Sequence, residues 1–302
     1  MTEFVIKKST RKDSKVLISL AGLSGCGKTY SAILLARGLV GPEGKIGFID
    51  TEQCRASLYS DLAGGFDVIN MEAPFSPERY VKAVDAFKQA GYNAVVIDSM
   101  SHEWEGVGGV LEMAESQTYK NGSQVQGMAK WAKPKAEHKK MMDYLLHCGM
   151  HIIFCFRAKE RLREEVVEGK KVYINDGLVT TTEKNFVYEM TVSLLLDVDT
   201  KFPKVIKCPE QLEHLFPNNR YINIEAGAEI ERWINGKIRT KEEIIAEGKK
   251  ATDKRVWYSS LPESEKHIAK KYQDEISALE TKPVKVETTK AEVEEEDDDG
   301  LI

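Results

Sequence analysis

The run Gly22-Leu23-Ser24-Gly25-Cys26-Gly27-Lys28-Thr29 fits G-x-x-x-x-G-K-[ST] at every fixed position. Glycines let the backbone curl so that successive N–H groups face an anion, and a helix starting near Lys28 adds the positive end of its dipole. The predicted chemistry is a grip on phosphates by Gly22, Ser24, Gly25, Cys26, Gly27 and the first helical residues through Tyr30. Lys28 would reach the β and γ phosphates, and the Thr29 hydroxyl would sit on Mg²⁺. Cys26 needs only to be small.

A magnesium shell on Thr29 also needs a carboxylate, and Asp98 at the end of "AVVID" is placed for it. Ser99, next in the chain, is small enough for a crowded metal site. A second acid, Glu52, closes "FIDTE" and would polarise an attacking water if that strand end lies near the γ-phosphate. Its rivals are Glu103 and Glu105 in "SMSHEWEG", directly after Asp98.

These residues need elements to position them. The apolar run Val16 to Leu20 leads into the glycine loop, and Ile33, Leu34, Ala36, Leu39 and Val40 follow at helical spacing, closed by Gly41-Pro42. "KIGFID", "FDVINM" and "AVVID" read as further buried strands. Ser76-Pro77-Glu78 opens a helix that runs to about Gly91. After a helix from Pro134 to His147, "HIIFCF" and "EMTVSLLLD" are two more strands. Apolar strands separated by helices predict an α/β fold with a mostly parallel sheet covered on both faces. Residues 157–186 form a charged excursion with Glu168-Gly169 as its hairpin tip. "AGAEIERWING", "TKEEIIAEGKKA" and residues 262–279 read as short helices. The expected layout is an N-terminal arm at 1–14, a core at 15–235, a helical extension at 236–282 and a disordered acidic tail at 283–302.

"GLSGCGKT", "FIDTE", "VVIDSMSHEWEGVGG" and "FCFRAKE", in this order, resemble the small RecA-like ATPases of bacteriophage recombination modules, relatives of the single-strand annealing group. The resemblance covers residues 15 to 235. It implies a RecA-like P-loop NTPase core, ATP and Mg²⁺ as ligands, and Glu52 as general base, with a contribution of about 10² to 10⁴ in rate. It also implies a phage origin and an oligomer, filament or ring. Related oligomeric ATPases use basic fingers across a subunit interface where Arg157 and Lys159 stand, worth about 10³ to 10⁵ in rate; a solvated surface pair beside Glu160 and Arg161 is the alternative. "FCFRAKE" lacks the glutamine or asparagine that RecA relatives often place after this strand to sense the γ-phosphate.

Between Tyr119 and Lys140 stand six lysines, Lys120, Lys130, Lys133, Lys135, Lys139 and Lys140, against the single acid Glu137, with Trp131 interleaved. Lysines track phosphates while an aromatic face stacks on a base, worth about 1 to 3 kcal/mol per base. In RecA relatives the segment after the Walker B strand faces bound DNA, so single-stranded DNA is the expected partner. The alternative is a helix with a solvated lysine face and Trp131 packed beneath it. "EEEDDDGLI" at the end offers a docking tip for a single-strand binding or annealing protein, or a solubilising tail.

The 302 residues carry a net charge of −5 concentrated in that tail, so overall charge does not decide the nucleic-acid question. Five cysteines with no C-x-x-C pair argue against a disulfide framework. His147, Cys148 and His151 straddle a helix end and a strand start, where packing accounts for them. The apolar runs are too short to span a bilayer, and the start lacks a signal-peptide pattern, so the expected location is cytoplasmic, that of a bacterial host if the chain is phage-encoded. Two other classes stay open: a nucleotide-gated adaptor or loader, and a P-loop kinase acting on a small molecule.

Overall fold

In the computed structural model, residues 8–12, 14–167, 170–236 and 239–277 are described. The expected acidic tail and the hairpin tip at Glu168-Gly169 lie outside the described residues.

Strand β1 (Leu17–Gly22) is buried along its whole length and runs into helix α1 (Lys28–Val40) through the glycine loop. Strands β2 (Ile46–Asp50) and β3 (Asp67–Asn70), helix α2 (Pro77–Gln89) and strand β4 (Ala94–Asp98) follow. Three helices come next: α3 (Ser101–Glu105), α4 (Val110–Glu115) and α5 (Ala132–His147). Strand β5 (His151–Val167) forms a hairpin with β6 (Lys170–Thr180). Helix α6 (Phe186–Glu189), strands β7 (Val192–Leu196) and β8 (Pro203–Lys207), and helix α7 (Ile224–Ile234) complete the core. The last helices are α8 (Lys241–Lys250), α9 (Lys254–Ser260), α10 (Glu263–Lys271) and α11 (Gln273–Ser277).

Among the described residues the sheet order is β3-β2-β4-β5-β1-β7-β8, with β6 paired to β5. The core strands pair in parallel except β8, which runs antiparallel to β7. This is the α/β P-loop architecture that the RecA-like resemblance implies, a mostly parallel sheet flanked by helices. One face is covered by α1 and α7, whose Ile33, Leu35 and Ile230 pack with Leu194. The other is covered by α2 and α5, where Tyr80, Phe87, Met141 and Leu145 pack with Phe154. Helices α1 and α7 approach so closely that a Cβ on Gly38 would lie 2.0 Å from the Ile224 carbonyl oxygen. Only hydrogen fits there.

Strand β5 lies between β4 and β1, pairing Asp98 with Cys155 on one side and Gly22 with Arg157 on the other. The inserted strand therefore brings three strand ends to one edge of the sheet. Such carboxyl edges are where open α/β sheets bind ligands.

Several expectations are corrected. "FDVINM" is not a buried strand: β3 is the sheet's outer edge, with Val68 37% exposed. Strand β8 and helix α9 had no counterpart in the sequence reading. Residues 262–279 are broken at Tyr272 into α10 and α11. These last helices share their own apolar cluster, including Ile244, Leu261, Ile268 and Ile276. Lys271 joins them to the core through Glu210 at 2.8 Å.

Candidate functional site

The glycine loop takes the backbone path its residues permit. Gly25 (φ +78°) and Gly27 (φ +90°) occupy left-handed conformations that side chains avoid. Gly22 is required for space, since a Cβ there would lie 2.4 Å from Cys26 Sγ and 2.8 Å from the Leu196 carbonyl oxygen. Cys26 is buried beneath the loop, so its thiol is packing and does not face the cleft. No side chain caps the N-terminus of α1, which leaves its first N–H groups aimed into the cleft. Lys28 Nζ donates to the carbonyl oxygens of Gly22 (3.1 Å) and Leu23 (2.9 Å).

The loop forms one wall of a cleft of about 640 Å³ lined also by Ser24, Tyr30, Glu52, Arg55, Asp98 and Arg157. Tyr30 is half exposed at its mouth, edge-on to Tyr59 at 6.3 Å. Thr29 Oγ1 donates to Asp98 Oδ2 at 2.5 Å. A hydroxyl and a carboxylate converging on one point form a hard-oxygen donor set suited to Mg²⁺. Burial pushes the Asp98 carboxyl up to about 6, against the hydrogen bond from Thr29 and the charge of Lys28, which act to lower it.

The end of β2 is tied down by its own Asp50 and Thr51 and by Ser99 and His102 after β4. Asp50, almost fully buried, accepts from the backbone N–H of Glu52 (2.6 Å) and of Ala56 (2.8 Å). Thr51 Oγ1 accepts from Ser99 N at 2.7 Å and meets His102 Nδ1 at 2.7 Å. These bonds lock β2 to β4, so Glu52 and Asp98 hold a fixed relation.

Glu52 faces the cleft and is held by Arg157 of the same chain. Nε and Nη2 of Arg157 donate to Oε1 at 2.9 and 2.7 Å, and Nη2 donates to Oε2 at 2.7 Å. Burial acts to raise the Glu52 carboxyl, but the Arg157 hydrogen bonds and charge outweigh it and leave the group below its ordinary value. A reach by Arg157 to a neighbouring subunit would require this pair to break. Lys159 lies outside the cleft, in a groove with Trp104, Glu105 and Lys184. The rival acids also stand elsewhere. Glu103 is fully buried against His138 Nδ1 at 2.9 Å, and Glu105 is exposed beside Lys159. Beyond the Glu52–Arg157 pair lies a second cavity of about 660 Å³, which reaches Asn70, Phe75 and His102.

The basic stretch is split by the structure. Tyr119, Lys120, Lys133, Lys135, Lys139 and Lys140 are exposed. Lys130 instead pairs with Glu115 at 2.6 Å, and Trp131 stacks on Trp104 with centroids 6.3 Å apart. Those two residues are engaged within the fold and are not presented with the exposed lysines. Arg55 and His102 were also missed. Arg55 lies beyond "FIDTE", and His102, although inside "SMSHEWEG", has no spacing there that announces a role.

The family model described as an AAA domain matches residues 14–231. Among solved structures, the chain is similar to a KaiC-like protein of the hyperthermophilic archaeon Pyrococcus horikoshii OT3, at 15% identity and a TM-score of 0.36, covering 65% of this chain and 80% of that one. No curated protein matches the chain. Among the described residues no helix is long and apolar enough to cross a membrane.

Proposed function

The chain belongs to the AAA domain family of nucleotide-binding ATPases, and from that premise we propose that it is a Mg²⁺-dependent ATP hydrolase that works on single-stranded DNA as a filament or ring. The observation that supports hydrolysis is the convergence of Thr29 and Asp98, 2.5 Å apart, with Glu52 lining the same cleft. The DNA role is supported by the exposed lysines of α5 and by the resemblance to phage recombination ATPases. Under this reading the work is phage-type recombination or replication in a bacterial host's cytoplasm. The acidic tail would engage a single-strand binding or annealing protein.

Lys28 would leave the loop carbonyls to meet the phosphates, while the glycine-loop N–H groups surround them. Thr29 and Asp98 would hold Mg²⁺, which when bound supplies charge neutralisation on the β and γ oxygens. Glu52 would take the proton of the attacking water. Paired with Arg157 it is a weakened base, so release from that guanidinium strengthens it for the step. Arg157 thus positions the base within its own chain.

The test is steady-state ATP hydrolysis with and without single-stranded DNA at two salt concentrations, alongside Lys28→Ala and Glu52→Gln. DNA stimulation that weakens with salt and disappears in both variants is the expected result. Hydrolysis indifferent to DNA overturns the DNA role, and full activity in Glu52→Gln overturns the base. One observation favours a second reading, phosphoryl transfer to a small molecule: the cavity of about 660 Å³ behind Glu52 would seat an acceptor. A phosphorylated small-molecule product in place of free phosphate would identify it.

A further inference from the structure

Three cationic side chains line the phosphate cleft among the described residues: Lys28, Arg55 and Arg157. Lys28 is bonded to the loop carbonyls and Arg157 to Glu52. The Arg55 guanidinium makes no hydrogen bond or ion pair with any described residue. It stands at the partition of the two cavities, lining both the phosphate cleft and the cavity behind Glu52. Its charge reaches Glu52 and helps to hold that carboxyl below its ordinary value, though less than Arg157 does.

The backbone that presents Arg55 is unusual. Gln53 (φ +60°) and Cys54 (φ +63°) are successive non-glycine residues in the left-handed region, immediately before a short 3₁₀ turn over Arg55–Tyr59. Such conformations persist only where the surroundings over-determine them, and they cluster at ligand clamps. Here the restraint is visible. The buried Asp50 carboxylate accepts the N–H groups of Glu52 and Ala56, bracketing Arg55 on both sides. Ala56 itself is buried in the core, so the turn has little freedom to shift. A restrained turn that carries an exposed guanidinium at the rim of the glycine-loop cleft suits an anion there. A guanidinium there neutralises charge on a transferring phosphoryl group without proton exchange.

We propose that Arg55 is an own-chain clamp for the terminal phosphate of the bound nucleoside triphosphate, opposite the glycine loop. The inference rests on the phosphate-cleft reading above and deepens it: Arg55 distinguishes triphosphate from diphosphate, and each chain supplies its own guanidinium.

Wild type, Arg55→Ala and Arg55→Lys are titrated by calorimetry with ADP and with a non-hydrolysable ATP analogue, both with Mg²⁺. Arg55→Ala is expected to keep its ADP affinity and lose about 10- to 100-fold on the triphosphate analogue, the range for one charge-assisted contact. Arg55→Lys should recover part of that loss, because it keeps the charge without the planar fork. Retained ADP binding also reports a folded site. Equal loss on both nucleotides, or loss on neither, overturns the clamp while leaving the phosphate cleft standing. A wild-type chain that binds neither nucleotide overturns the cleft reading and the clamp with it. Mixing Arg55→Ala with Lys28→Ala separates own-chain from neighbouring-chain action. No recovery of hydrolysis is expected, and recovery overturns the own-chain assignment.

Discussion

The phosphate cleft and the basic stretch from Tyr119 to Lys140 are both rich in charge, yet they are built differently. In the cleft Thr29, Glu52, Asp98 and Arg157 each have a partner held at hydrogen-bond distance. Along α5, Lys133, Lys135, Lys139 and Lys140 are exposed, and their ammonium groups make no hydrogen bond or ion pair among the described residues. The first arrangement fixes the position of charge, and the second supplies charge without fixing it. Fixed charge suits chemistry on one phosphoryl group, whereas loose charge suits a polymer whose phosphates repeat. Loss of one member should therefore be severe in the cleft and graded on the helix.

The largest effect expected is on Glu52→Gln, which should lower kcat by about 10² to 10⁴ while nucleotide affinity is retained. Steady-state rates beside equilibrium binding separate the two, and a loss confined to affinity would break the comparison. Next comes Asp98, whose carboxyl is raised by burial from 3.8 to about 6. A raised carboxyl contributes stability fully present below pH of about 4, and this is lost as pH rises through about 6. Ligand-free Asp98→Asn, neutral at every pH, should therefore gain stability relative to wild type between pH 4 and 7, by on the order of 3 kcal/mol. Denaturant unfolding at both pH values measures it, and a pH-independent difference would show that Asp98 ionises normally.

Gly38→Ala should cost about 1 to 3 kcal/mol by wedging α1 from α7. Thermal unfolding checks this, and an unchanged midpoint would mean that the helices shift freely. The smallest effect is on Lys133→Ala with Lys135→Ala. DNA binding should persist with a salt slope shallower by about 1.4, from two lost contacts to single-stranded phosphates. An abolished interaction would mean that this helix, too, holds its charge in fixed positions.

What was legible in the sequence follows the same division. "GLSGCGKT" could be read because the spacing of glycines, lysine and threonine along a strand, loop and helix dictates its own geometry. Glu52 and Asp98 were legible as strand ends for the same reason. The Glu52–Arg157 pair was not, because its members lie 105 residues apart and meet only when β5 inserts between β4 and β1. The edge position of β3 was hidden likewise, since an apolar run reveals a strand but not its neighbours. Lys130 and Trp131 show the limit of composition: the same residue types serve a nucleic-acid surface or an internal contact, and their contacts with Glu115 and Trp104 are visible only in the fold. Arg55 left no trace, lying three residues beyond "FIDTE" in a turn that Asp50 of that motif restrains.

Strand β5 is continuous from His151 to Val167. Its first part is a central strand of the sheet, and its second is one arm of the hairpin, with Arg157 where the two meet. An extended backbone is close to its full length and yields little to tension along its axis. The ten residue steps from Arg157 to Val167 span about 33 Å at strand rise. Arg157, directly across from Gly22, stands where this arm leaves the central sheet, and the arm's pairing shifts register between Glu160 and Leu162. The pair that restrains Glu52 thus stands at the root of the hairpin, where one strand belongs both to the central sheet and to the arm.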